Sequence, residues 1–392
     1  MTDFDVIVAG RGPAGLAAAC LAARNGAKVA LVAAPSGAAH DPRTVALMKP
    51  SIQLLQSLDL WPGELRERTS PLRRLRLVDD TGSALAAPEL VFDAVEIGEE
   101  AFGWNIPLTL LVPALEQRAA ALGVALIESD VAAVQLTSSD VAVRTADDRI
   151  AVGKVVLAAD GRASLLRDAA GIKTNDWSYD QVALATSFQH SSSHRDISTE
   201  YHKKAGPCTT VPMPGGQSAL VWMERPARAA ELMGLDDAAL AREIQIAVHG
   251  ELGLVSGIGL RRMFPMRGLV ARDFAAKRVM LIGEAAHVVP PIGAQGLNMS
   301  LRDAAQACDI VMDEKDPGAS DALARYDALR RRDVQPRQQA IDLMNRSLLS
   351  GLMPMEGARA VGLSVLGSFG PLRRFVMRQG IGPAQLPRAM RG

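Results

Sequence analysis

Three clusters of glycine and acid, each placed just after an apolar run, are the residues of this chain whose types and spacing suit chemistry. The first is Gly10-Arg11-Gly12-Pro13-Ala14-Gly15, a GxGxxG turn that follows the run FDVIVA at residues 4–9. Between a strand and a helix this spacing is suited to phosphate. Gly10 permits the tight turn, Gly12 lets the backbone approach a pyrophosphate, and Gly15 lets helix and strand pack closely. The anion rests on the free N–H groups of the helix start, where the helix dipole favours negative charge. Placed at the beginning of a βαβ unit, the turn predicts dinucleotide binding. A tight structural turn is the plainer alternative.

The second cluster closes the run VVLA at 155–158 with Asp160 and Gly161, followed by Ser164. Asp160 either faces the cofactor or, with Ser164, caps the next helix. The third cluster is the most specific. Residues 278–282 (RVMLI) lead into Gly283 and Glu284, and then into Pro290-Pro291-Ile292-Gly293-Ala294-Gln295-Gly296-Leu297-Asn298. An acid at the carboxyl end of a strand sits where α/β sheets bind ligands. Glu284 suits a ribitol or ribose hydroxyl. The loop opens a helix near Leu297, and its N–H groups suit a planar, anion-stabilised ring. His190 and His194 stand four apart in a polar stretch and predict no metal site. His287 is read either as structural or as facing flavin or substrate. No GxSxG turn or Cys–His dyad supports a hydrolase.

These residues need a parallel sheet to hold them. Buried-type strands are read at 4–9, 28–33, 154–158 and 278–282, with a helix at 13–25 after the glycine turn and a further strand at 125–128. Helices are also read at 44–58 and at 113–122, the latter with proline in its first turn. Further strands are read at 131–136 and 141–145. From 177 to 267 the pattern changes to short alternating strands, with one helix near 236–249, which predicts an inserted antiparallel layer. A long helical tail follows Leu297. The expected division is 1–176 and 275–345 for the two parts of a cofactor-binding domain, 177–274 for a sheet on the substrate side, and 346–392 for a helical tail.

Composition sets the outer limits. Of 392 residues 48% are hydrophobic and 22% charged, enough to bury a large core and too apolar for a disordered chain. Lys plus Arg and Asp plus Glu are 43 each, so the chain carries no global electrostatic footprint for nucleic acid. Three scattered cysteines fit a reducing compartment. No export signal is read before the first strand, and no apolar run is long enough to span a bilayer. The expectation is a cytoplasmic protein. The last stretch, 357–392, holds six arginines and no acid among Val361, Leu363, Val365, Leu366, Phe369, Leu372, Phe375 and Val376. It suits either a peripheral contact with the inner membrane or a helix packed on the protein with its arginines in water.

The three clusters in this order resemble the class A FAD-dependent aromatic monooxygenases, over about residues 4–345. Within them the loop is similar to the ubiquinone-biosynthesis hydroxylase branch, whose pattern runs His-Pro-x-x-Gly-Gln-Gly-x-Asn-x-Gly-x-x-Asp. Gln295, Gly296, Asn298 and Asp303 match it, while Pro290, Ala294 and Ser300 depart. Segments 102–107 and 342–346 add to the likeness. The resemblance implies a Rossmann-like α/β FAD domain with an inserted antiparallel β-sheet. Gly10, Gly12, Pro13, Ala14 and Gly15 would hold the pyrophosphate. Asp160 would flank the NAD(P)H-responsive region, and Gly283 and Glu284 would hold the ribitol. Pro291, Gly293, Ala294, Gln295, Gly296, Leu297 and Asn298 would flank the flavin. Arg43 would meet a phosphate or cover the flavin, with a surface salt bridge as its alternative. NAD(P)H would bind transiently, reduce FAD and leave. O2 then gives a flavin C4a-hydroperoxide that hydroxylates an aromatic ring, here a polyprenyl phenol. Because the flavin supplies the chemistry, no catalytic acid or base is assigned. Three usual FAD contacts are changed: Ala33 stands where the second strand usually ends in a ribose-binding acid, Glu284 replaces Asp, and Leu108 or Val112 replaces a polar residue. They predict looser FAD binding. They also leave open a hydroxylase of a small soluble aromatic, and a flavin-poor partner protein.

Overall fold

The parallel strands run where alternation gives way to continuous apolar sequence. A computed structural model describes residues 3–35, 41–83, 87–350, 361–362, 364–383 and 385–391. The strands Ala125–Glu128, Val29–Ala33, Phe4–Ala9, Ile150–Ala158 and Val279–Leu281 pair in that order, all parallel. Val6, Ile7, Val8, Val29 to Val32, Val155 to Ala158 and Val279 to Leu281 are all buried, as a sheet covered on both faces requires. The register Val8↔Leu31 and Val8↔Leu157 brings the ends of the central strands level. Gly10, Ala33, Asp160 and Gly283 therefore all emerge at one edge of the sheet. An antiparallel hairpin, Val131–Leu136 with Val141–Thr145, joins the strand Ile150–Ala158.

The second sheet has nine strands. Its centre is the strand Thr174–His190, flanked by Gln217–Glu224 and Arg262–Ala271. Two of its strands, Arg74–Asp79 and Leu90–Asp93, come from the first part of the chain, and Arg74–Asp79 pairs in parallel with Ile197–Lys203. Two helices pack here, Pro226–Gly234 and Asp237–Ala247, where the sequence suggested one. Leu235 is extended (ψ 150°) and separates them, and Asp236 caps the second by accepting from the Ala239 N–H.

Two further elements differ from expectation. Residues 44–58 are not one helix. Thr44–Met48 is a strand paired with Gly103–Pro107, and the helix is Lys49–Ser57. Thr44 and Val45 favour the strand, and Pro50, with no N–H to give, fits the helix's first turn. The helix expected at 113–122 begins earlier, at Leu108, and runs to Ala121 with Pro113 inside it. Leu108, Leu111, Val112, Leu115 and Ala119 form a buried face whose packing outweighs the hydrogen bond that Pro113 removes.

The chain ends in the helices Gln295–Asp313, Ser320–Ser350 and Gly370–Ile381. The last of these is anchored. Met377 is buried with Met48, Phe92 and Phe102, and Arg373 ion-pairs with Glu96. Gly380 O accepts from Gln295 Nε2 at 3.1 Å. Leu363 and residues 351–360 of the tail lie outside the described residues.

Candidate flavin site

The glycines of the first turn have different duties. Gly10 has φ +117°, and a Cβ there would stand 2.1 Å from Ala159 O. A Cβ on Gly15 would stand 2.1 Å from Gly10 O. Both are needed to fold the turn. Gly12 has an ordinary φ of −76°, and a Cβ there would meet nothing within 4 Å. The room beside Gly12 is thus not required by the protein's own packing. It opens on a cavity of about 810 Å³ lined also by Gly10, Arg11, Pro13, Ala33, Asp41, Arg43, Leu108, Val112, Asp130, Ala159 and Asp160. A vacant glycine at a helix start, beside a cavity of this size, fits the diphosphate and adenosine of a dinucleotide.

The cavity's charges are mostly committed. Arg11, from the turn itself, bonds Glu116 Oε1 at 2.6 Å and Glu128 Oε2 at 2.7 Å. Arg43 is held by Asp41 at 2.6 Å, and its guanidinium lies 5.0 Å from the Phe264 ring centroid. The hydrogen bonds that Arg43 donates to Asp41 raise its pKa, and the charge of Glu284 adds to this. Arg43 is therefore both in an ion pair and at the cavity wall. Asp160 accepts from Ser164 Oγ at 2.6 Å and from Leu166 N at 3.2 Å, so its carboxylate caps the short helix Leu165–Ala169 while it lines the cavity.

Gly283 and Glu284 follow the strand Val279–Leu281, as the sequence suggests. A Cβ on Gly283 would stand 3.7 Å from the Cβ of Ala14, which places the third cluster beside the first. Glu284 is half exposed, 3.8 Å from Arg162. The loop from Pro290 carries exposed Pro291 and Gly293, then Ala294 at φ 54° as the cap of the helix Gln295–Asp313, with Gly296 and Leu297 in its first turn. Gln295 is spent on Gly293 O and Gly380 O, and Arg337 donates to it at 3.4 Å.

Asn298 is buried and its side chain is saturated. Oδ1 accepts from Met48 N and Ser51 Oγ, and Nδ2 donates to Ala46 O and Ala294 O. Its side chain stitches the loop to the strand that follows Arg43 and leaves no hydrogen bond for a ligand. Asn298→Ala would orphan several buried backbone groups at about 1–3 kcal/mol each. We expect a loss of about 3 kcal/mol or more in urea unfolding, with the midpoint lowered and the slope unchanged.

His287 is structural. It is buried and its Nε2 lies 2.7 Å from Asp303 Oδ2. The sequence did not point to Asp130, or to Arg330 as a partner of Asp303. Asp130 follows a short exposed strand and carries no motif; Arg330 stands 27 residues beyond Asp303.

Fold and cavity define a flavoprotein of the class A monooxygenase type, with FAD as its cofactor. The chain belongs to the FAD binding domain family, which matches residues 3–340. It is 30% identical to ubiquinone hydroxylase UbiL of Rhodospirillum rubrum, over 99% of this chain and 92% of that protein. It is 27% identical to 3-demethoxyubiquinol 3-hydroxylase of Escherichia coli, over 96% of this chain and 98% of that one. Among solved structures, p-nitrophenol 4-monooxygenase PnpA of Pseudomonas putida superposes with a TM-score of 0.79 at 19% identity, covering 98% of this chain and all of that one.

Proposed function

We propose that this protein hydroxylates the aromatic ring of a polyprenyl phenol in ubiquinone biosynthesis, with NAD(P)H and O2 as co-substrates. The observation that carries the reading is end-to-end similarity to a ubiquinone hydroxylase, over 99% of the chain. Bound FAD supplies the acceptance of hydride and the activation of O2. The chain's part is to bind, orient and exclude water. Gly12 leaves room for the diphosphate, Arg43 offers a cation at the cavity wall, and Asn298 fixes the loop. Ile292, inside that loop, packs with Ala183, Met223, Met266 and Ile341, and Phe264 and Val289 border them. This packing ties the loop to the second sheet and to the helix Ser320–Ser350. The test is turnover of the FAD-loaded protein with a polyprenyl phenol, NAD(P)H and isotopically labelled O2. One labelled oxygen on the ring supports the reading. Labelled oxygen only in hydrogen peroxide, together with hydroxylation of a small soluble phenol, would overturn it.

We also infer a peripheral membrane contact. Among the described residues no helix is long and apolar enough to cross a membrane. Val361, Val365, Phe369 and Phe375 are nevertheless exposed on the tail. Three of its arginines are engaged within the protein, Arg373 with Glu96, Arg388 with Asp313 and Arg391 with Leu386 O, while Arg374 and Arg378 face outward and Arg359 lies outside the described residues. Apolar side chains dipping into the headgroups, with roughly 1 kcal/mol from each basic residue, predict weak and salt-sensitive attachment. The protein should float with anionic vesicles at low salt and sediment at high salt. Phe369→Asp with Phe375→Asp should abolish flotation without lowering the melting temperature. Equal flotation of both proteins would remove the tail from the account.

A further inference from the structure

We propose that Asp130 binds the adenosine ribose hydroxyls of FAD, in place of the acid that Ala33 does not supply. Ala33 ends the second strand and lines the cavity. Its partner in the adjacent parallel strand is Glu128, and the Ser129 N–H donates to Ala33 O at 3.1 Å. Asp130 follows directly, at the same carboxyl edge of the sheet, and lines the same cavity. An acid has in effect moved from the end of one strand to the end of its neighbour.

Three aspartates line this cavity: Asp41, Asp130 and Asp160. Asp41 is held by Arg43 through three contacts of 2.6 to 3.1 Å. Asp160 caps a helix through Ser164 and Leu166. Glu128, the other acid near Ala33, is bonded to Arg11 at 2.7 Å and does not line the cavity. Among the described residues the Asp130 carboxylate has no hydrogen-bond or ion-pair partner. A free carboxylate offers the acceptor pair that a vicinal diol needs. Arg11, which lines the same cavity, is paired with Glu116 and Glu128.

The sign of the effect separates this role from a bystander's. The cofactor's diphosphate is anionic. An Asp130 that does not touch the ribose would only repel it, and its removal would leave FAD binding unchanged or tighter. An Asp130 that accepts from the hydroxyls contributes a charge-assisted hydrogen bond, worth roughly 10- to 150-fold in dissociation constant.

The experiment titrates the apoprotein with FAD and with FAD carrying a 2′,3′-dideoxyadenosine, following flavin fluorescence. Asp130→Ala should weaken FAD by roughly 10- to 150-fold and leave the dideoxy analogue unaffected. Ala33→Glu placed on Asp130→Ala should recover FAD affinity, by returning an acid to the same diol from the second strand. Unchanged or tighter FAD binding by Asp130→Ala overturns the proposal, as does an equal loss for FAD and analogue. Asp130 is exposed, and among the described residues only its backbone carbonyl bonds to the protein, accepting from Ala146 N, so the variant retains the fold. Failure of the parent itself to bind FAD would be a failure of the cofactor assignment, and the parent titration reports it separately.

Discussion

Gly12→Val should yield a folded protein that no longer holds FAD. The two outcomes separate because the backbone at Gly12 is ordinary, at φ −76° and ψ 171°, a region that valine occupies readily. The added Cβ has no atom of the protein within 4 Å, which leaves space for the branched side chain. It fills the approach to the helix N-terminus, where a diphosphate needs bare backbone. We expect FAD affinity to fall on the order of 100-fold or more, equivalent to about 3 kcal/mol. Melting of the FAD-free variant should match that of the FAD-free parent. Added FAD should raise the melting temperature of the parent alone, since only a bound ligand stabilises the native state. Gly10→Ala and Gly15→Ala should behave in the opposite way. Their Cβ atoms would run into Ala159 O and Gly10 O, so the fold should suffer before binding is measured. A Gly12→Val protein that takes up FAD as the parent does would contradict the placement of the diphosphate.

That contrast among three glycines also marks what the sequence could and could not reveal. GxGxxG after FDVIVA was legible because one short segment carries the strand, the turn and the helix start. The strand at 279–281 and the acid after it were legible for the same reason. Residues 44–58 misled because Leu47, Ile52, Leu55 and Leu58 have helical spacing, while the pairing partner that makes Thr44–Met48 a strand lies near residue 105. Asn298 was visible as part of a motif, but its bonds to Ala46 and Met48 arise only when the two segments meet. The tail shows the same limit. Six arginines and a run of apolar residues suit a lipid surface or a packed helix equally well. Only Glu96, Asp313 and the pocket around Met377 decide which of them are engaged within the protein.

The cluster around Asp303 should give the largest single loss of stability. Asp303 is fully buried on the helix Gln295–Asp313. Oδ2 accepts from Gly283 N at 2.9 Å and lies 2.7 Å from His287 Nε2, while Oδ1 accepts from Arg330 Nε at 2.7 Å. Asp333 continues the network to Arg302, Arg330 and Arg337. Burial penalises the Asp303 carboxylate, but His287 and Arg330 outweigh it, with help from the Gly283 N–H, and hold its pKa below the usual carboxylate range. Removing one partner of a buried ion pair typically costs about 3–5 kcal/mol, because the other charge stays buried without compensation. Asp303→Ala should lose about that much at neutral pH by urea unfolding. The pH dependence has a fixed sign. A carboxyl whose pKa is lower in the folded state stabilises it fully above its unfolded value, near 4, and stops doing so as pH falls through the folded value. The gap between parent and variant should therefore be widest at neutral pH and narrow below about pH 4. The same substitution frees the Gly283 N–H and the turn that carries Glu284, so residual folded variant should also bind FAD more weakly. A gap that stays constant down to pH 3 would mean that Asp303 contributes packing rather than charge.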